Sequence, residues 1–201
     1  HTTTMMANDL PDVKVSCTEC HGEVPHAEDA ELADLYNAHV EKIACQTCHV
    51  PEIAVKQATK THWDWSTAGD DTREEDTHEY LKIKGSFVYQ KDLLPEYHWY
   101  NGYNDRYLLG DPVDAQGVTV LNRPAGGIDD PEARIWPFKV HRARQPFDTE
   151  HGHLLQPQTV GPTGYWTNFD WDDALRRAAE LLREGRIVAL KGLGGFQLLV
   201  D

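Results

Sequence analysis

Two five-residue stretches constrain this chain more than anything else in it: CTECH at Cys17 to His21 and CQTCH at Cys45 to His49. Each has the C-x-x-C-H spacing that attaches a c-type haem. Two thiols one helical turn apart can each form a thioether to a vinyl group on one edge of the porphyrin. The next residue then swings its imidazole beneath the ring as an iron ligand. On this reading Cys17 and Cys20 hold one haem with His21 as its proximal ligand. Cys45 and Cys48 hold a second, with His49. Two C-x-x-C pairs could instead build a tetrahedral zinc cage, or close as disulfides. The His after each second Cys separates these readings, because a cage of four thiolates needs neither imidazole.

Apolar residues make up only 40% of the 201 positions, so a conventional core would be thin and two porphyrin plates would enlarge it. The formal charge of -14 excludes a phosphate backbone as partner, since nucleic acid calls for clustered Lys and Arg. It fits a solvated acidic surface better than an acidic docking face for a basic redox partner. All four Cys are used by the two motifs. Haem attachment takes place outside the bacterial inner membrane, which predicts an exported, periplasmic protein. The opening HTTTMMANDLPD has no apolar or basic leader pattern. With a first residue other than Met, that predicts a processed form or a piece of something longer. No apolar run approaches the roughly 18 residues needed to span a bilayer.

Taken in order, the chain has few regular signals. From Glu28 to Lys42 the pattern is helical, with Leu32, Leu35, Tyr36 and His39 on one face. Gly22 and Pro25 make a turn that presents His26. A six-coordinate haem needs a second axial ligand, and His26 and His39 are the candidate distal ligands. A short amphipathic piece runs from Pro51 to about Lys60. Trp63 and Trp65 follow, expected to pack, plausibly on a porphyrin face. LKIKGSFVYQKDL alternates like a strand, with a turn at Gly85, and Asn101-Gly102 is a further turn signal. His98, between Tyr97 and Trp99, and His141, among Lys139, Arg142 and Arg144, are two more candidate distal ligands. His141 reads equally well as a contact to a haem propionate or part of a surface strand. Residues 111–159 look like a long irregular wrap. Within it His151 and His153 form a loop pair whose use as a surface metal site the sequence does not favour.

The runs CTECHGEVPH, HVEKIACQTCHVPE and THWDWSTAG, continued by LKIKGSFVYQKDLLPEYHWYNG, YLLGDPV and IWPFKVHRARQPFDT, resemble the octahaem tetrathionate reductase family of periplasmic c-type cytochromes. The resemblance covers roughly residues 10–172. It implies closely stacked haems that pass electrons, most irons being ligated by two His. Cys17, Cys20, His21, Cys45, Cys48 and His49 match attachment positions, and His26 and His39 sit where the family places distal His. The family carries eight haem motifs and this chain two. Its substrate-reducing haem, with a Lys ligand, has no counterpart among the matched residues. The resemblance therefore implies electron transfer, and leaves open whether the chain is an enzyme of the tetrathionate, nitrite or hydroxylamine reductase kind.

The last stretch reads differently. FDWDDALRRAAELLREG is a helix with Asp170 as N-cap, Leu175, Ala178, Leu181 and Leu182 on one face, and Gly185 as its stop. RIVALKGLGGFQLLVD reads strand, glycine turn, strand. ALRRAAELLREGRIVALKGLGGFQLLVD is similar to the opening of the YrdC-like domain of the hydrogenase-maturation carbamoyltransferase HypF. By that resemblance Lys191 is a nucleotide-contacting candidate.

The expected architecture is cytochrome c-like and multihaem: mainly short α-helices, long irregular segments and little β, with a C-terminal helix-strand-turn-strand piece of an α/β domain. Residues 1–172 form the two-haem segment and residues 173–201 an incomplete YrdC-like fragment. The expected function is electron transfer through two c-type haems as a segment of a periplasmic multihaem reductase. Expected partners are redox proteins or adjoining haem domains, and an oligomer is compatible with the sequence. The alternatives are a HypF-like nucleotide-binding fragment and a zinc-stapled interaction module.

Overall fold

The computed structural model describes residues 16–26, 31–184, 188–192 and 195–199, and the chain divides into two compact units. The helices are α1 (Thr18–His21), α2 (Ala33–His39), α3 (Cys45–His49), α4 (Tyr165–Asn168) and α5 (Trp171–Arg183), with a 3-10 turn at Trp65–Thr67. The strands are β1 (Thr59–Asp64), β2 (Tyr80–Leu81), β3 (Gly85–Gln90), β4 (Glu96–Tyr100) and β5 (Asn104–Arg106). They continue with β6 (Asn122–Pro124), β7 (Arg134–Phe138), β8 (Arg142–Arg144), β9 (Val188–Gly192) and β10 (Gly195–Leu199). Ten strands in four sheets among the described residues overturn the expectation of a mainly helical chain with little β. The reason is length. Strands of two or three residues, such as β2, β5, β6 and β8, are too short for a period of two to register in sequence.

The first unit gathers residues 1–59, 90–107 and 120–140. Its frame is the antiparallel pair β4–β7, in register from Glu96 opposite Phe138 to Tyr100 opposite Arg134. Tyr100 lies edge-on to both Trp136 and Phe138 at 5.8 and 5.5 Å, a geometry the ring quadrupoles favour. The predicted Asn101-Gly102 turn links β4 to β5. Gly102 takes a φ of 99°, and its carbonyl accepts the Tyr100 hydroxyl at 3.0 Å. Asn101 donates to Asp130 at 2.8 Å, tying the turn to the approach of β7.

The second unit holds residues 60–89, 108–119 and 141–201. Its four-stranded sheet runs β2-β3-β1-β8, with β1 and β8 parallel. The turn predicted at Gly85 is there, at a φ of +80°. A Cβ at this position would meet the Asp64 carbonyl oxygen at 2.2 Å. The close approach lets Thr67 bridge strand and turn, accepting from Ser86 N at 2.7 Å and donating to Asp64 O at 2.9 Å. Gly85→Ala therefore combines left-handed strain with a backbone clash and should cost about 2 to 4 kcal/mol. A urea midpoint equal to that of the wild type, followed by circular dichroism, would refute this.

Trp63 and Trp65 stack on each other at 4.8 Å, and Trp65 meets the edge of Trp171 at 6.1 Å. The expected packing of the two rings is thus met by each other and by Trp171. Lys60 Nζ lies 4.4 Å from the Trp63 ring centre and 4.5 Å from that of Phe87. Burial, helped by Lys84, lowers its pKa. Tyr165, 1% exposed, stacks on Trp171 at 3.8 Å and donates its hydroxyl to Ala68 O at 3.1 Å. The predicted C-terminal helix forms as α5, with Asp170 accepting from Asp173 N at 3.1 Å as an N-cap should. The two predicted strands form the antiparallel pair β9–β10, and the predicted turn between them lies outside the described residues. The helix stop, Gly185, lies outside the described residues, as do residues 28–30 of the predicted helix from Glu28. The described helix there is α2. The amphipathic piece expected after Pro51 is not helical; Ile53 instead bridges Leu93. No helix among the described residues is long and apolar enough to cross a membrane.

Candidate functional site

The second C-x-x-C-H motif is α3 itself, and β7 holds it in place. Ile43 forms a parallel bridge with Ile135. The Ile135 carbonyl accepts from Ala44 N at 3.0 Å and from the Thr47 hydroxyl at 2.7 Å. Ile135 N donates to Lys42 O at 2.8 Å. Ala44, 2% exposed, sits extended just before the helix, where a larger side chain would force the strand away. One face of α3 is thus pinned, and Cys48 and His49 point outward, exposed. Thr47 and Ile135 carry no signal in the motif; only the tertiary pairing reveals their part.

The first motif is α1 with Cys17 before it, closed by Gly22 at a φ of 77°. All four thiols are free. The Cys17 thiol lies within hydrogen-bonding reach of Cys45, and burial together with that neighbour raises its pKa. The two motifs therefore converge at their leading cysteines. The four thiols do not gather into a cage: among the described residues no group of three or more His, Cys, Asp or Glu could hold a metal ion. That removes the zinc reading's geometry.

His26 faces His49. Their rings are nearly parallel, 7° apart, with centres separated by 6.1 Å. An imidazole nitrogen sits about 2 Å from a bound metal, so two rings on opposite sides of one metal have centres roughly 6 Å apart. Asn37 on α2 helps hold His26, its side-chain oxygen accepting from His26 N at 3.3 Å, and the Tyr36 ring lies edge-on at 5.6 Å. Among the described residues, no hydrogen-bond partner reaches the buried Nδ1 of the His26 ring. A buried polar atom of this kind is costly unless another group satisfies it. A metal between the rings fits both observations.

The remaining candidates are dispersed. His39 closes α2 in the same unit, exposed, its ring 6.5 Å from Tyr36. The predicted apolar face of that helix is open rather than packed: Leu32, Leu35 and Tyr36 are all exposed. His98 lies on β4, exposed, opposite Trp136 and edge-on to Phe138 at 6.0 Å. His141 is half-buried and belongs to the second unit. Lys191 lies on β9, paired with Phe196. The structure thus brings His26 and His49 together, and gives His39 and His98 a place in the same unit without pairing them.

Comparison with known proteins bears on these arrangements. The family described as bacterial cytochrome c matches residues 60–186, beyond both C-x-x-C-H motifs. No curated protein matches. The crystal structure of octaheme cytochrome c from Shewanella oneidensis is similar over 92% of this chain, at 39% identity and a TM-score of 0.74. The match covers 42% of that protein, so this chain spans less than half its length.

Proposed function

The chain belongs to the bacterial cytochrome c family, and from that premise we propose that it conducts electrons through two haems. One is held by Cys17, Cys20 and His21, the other by Cys45, Cys48 and His49. Electron transfer through covalently bound haem c is the function its family membership carries; the number two and the ligand assignment are our reading. When bound, haem supplies a one-electron iron couple.

The protein's part is to attach, orient and enclose. Cys45 and Cys48 would tether the porphyrin edge at a point braced by Ile135. His49 and His26 would hold the iron between them, and a haem held in that way would supply electron transfer rather than a place for substrate. The contact of Cys17 with Cys45 supports close approach of the two attachment edges. The exposed Leu32, Leu35 and Tyr36 form an apolar face suited to a porphyrin. His39, His98 and His141 are the further ligand candidates.

The observation that carries this reading is the near-parallel His26–His49 pair, 6.1 Å apart. We assign this chain the conducting role within a larger periplasmic multihaem protein, with adjoining haem domains as its partners. Expression in a host competent in cytochrome maturation should give a band on a denaturing gel that stains for haem. A colourless band from such cells would sink the proposal.

A further inference from the structure

Outside the haem-binding unit, a second pair of imidazoles lies on the loop between Phe147 and Leu154, and nothing in the electron-transfer reading uses it. The loop is closed. Phe147 bridges Leu154, Asp148 N donates to His153 O at 2.8 Å, and Gly152 N donates to Asp148 O at 2.8 Å. Gly152 turns at a φ of +70°. Asp148 organises the turn, its Oδ1 accepting from Glu150 N at 2.8 Å and His151 N at 3.0 Å. A second tie secures the loop to its own unit, from Val113 N to Gly152 O at 2.7 Å.

The two rings are prepared in the same way. His151 Nδ1 lies 3.0 Å from Asp148 Oδ2, and His153 Nδ1 lies 3.1 Å from the Leu154 carbonyl. A carbonyl accepts only, and so does an ionised carboxylate, so in each ring Nδ1 carries the proton. Each Nε2 is left as a lone-pair donor. Metal-binding His characteristically give the other ring N–H to a carboxylate or backbone carbonyl, which sets tautomer and orientation. The ring centres are 6.1 Å apart, with planes tilted by 32°. Two imidazoles sharing one cation have centres roughly 5 to 6.5 Å apart, depending on the angle at the metal.

We propose that His151 and His153 form a two-imidazole site for a borderline divalent cation, copper(II) in preference to zinc(II). Imidazole suits both, and the usual affinity order places copper(II) above zinc(II). Among the described residues no third His, Cys, Asp or Glu completes the set, so water or a donor from a bound molecule fills the other positions. Such a site is open and exchangeable.

The test uses the haem-loaded chain. Equilibrium dialysis against zinc(II), and electron paramagnetic resonance with copper(II), should show one cation per chain at about micromolar dissociation constant, with nitrogen hyperfine structure on the copper signal. His151→Gln and His153→Gln should each weaken binding at least about tenfold. Asp148→Asn, which removes only the supporting carboxylate, should weaken it by about tenfold. His78→Gln, at an exposed His elsewhere in the unit, should change nothing. The haem absorption spectrum should be the same in every variant, which reports an intact fold. No binding at all, binding that survives the His151→Gln/His153→Gln double change, or loss of a low-spin haem signal in either variant would each overturn the proposal.

Discussion

Replacing Cys45 and Cys48 together by alanine should halve the covalently bound haem and destabilise the remainder of the first unit. Without thioethers, His49 and His26 would hold that porphyrin by axial ligation alone, and a denaturing gel would strip it. The motif helix would keep its contacts to Ile135, so the loss would come from the plate rather than from unfolding of α3. The exposed face of α2, with Leu32, Leu35 and Tyr36, would lose its cover. At roughly 25 cal/mol per Å2 of apolar surface, a porphyrin-sized face is worth several kcal/mol. The melting temperature should therefore fall by about 10 °C or more. Mass spectrometry of the denatured protein gives the haem count directly. An unchanged count would mean that these cysteines do not carry haem.

The second large effect is expected at His26. His26→Ala should leave both haems attached but open one iron. Half of the low-spin signal should convert to high spin, and carbon monoxide should bind the reduced protein where it does not bind the wild type. Added imidazole should restore the low-spin spectrum, since the cavity left by the ring is the right size for it. The chemistry is that of an axial ligand removed from a site otherwise held by the chain. His39→Ala should leave the His49 haem untouched. If His26→Ala keeps both haems fully low-spin, then the 6.1 Å spacing to His49 reflects mere proximity and the pairing is wrong. If it abolishes attachment instead, His26 acts in building the fold.

The elements that could be read from the chain are those whose causes lie within a few residues. C-x-x-C-H is one, because thiols and imidazole at i, i+3 and i+4 share a helical face whatever surrounds them. The helix after Asp170 is another, since its cap and apolar stripe are local. The turn at Gly85 needs only glycine's access to positive φ. The zinc reading shares the C-x-x-C spacing, and the His after each second Cys already favours haem over a cage of four thiolates. The expectation of little β failed for the opposite reason. β1 pairs with β8, and β4 with β7, across tens of residues. Pairing of that kind leaves only a few residues of alternation at each end.

From its residues alone the chain pointed to covalently bound haem c as its cofactor, through the C-x-x-C-H spacing, and it determined its acidic surface. The fold decided which distant groups meet: Ile135 under the second motif, Cys17 against Cys45, His26 opposite His49, and the two loop imidazoles held by Asp148 and the Leu154 carbonyl. Covalent attachment depends on separations along one turn of helix, which the order of residues sets. Axial ligation and bracing depend on separations through space, and those exist only once the strands have paired.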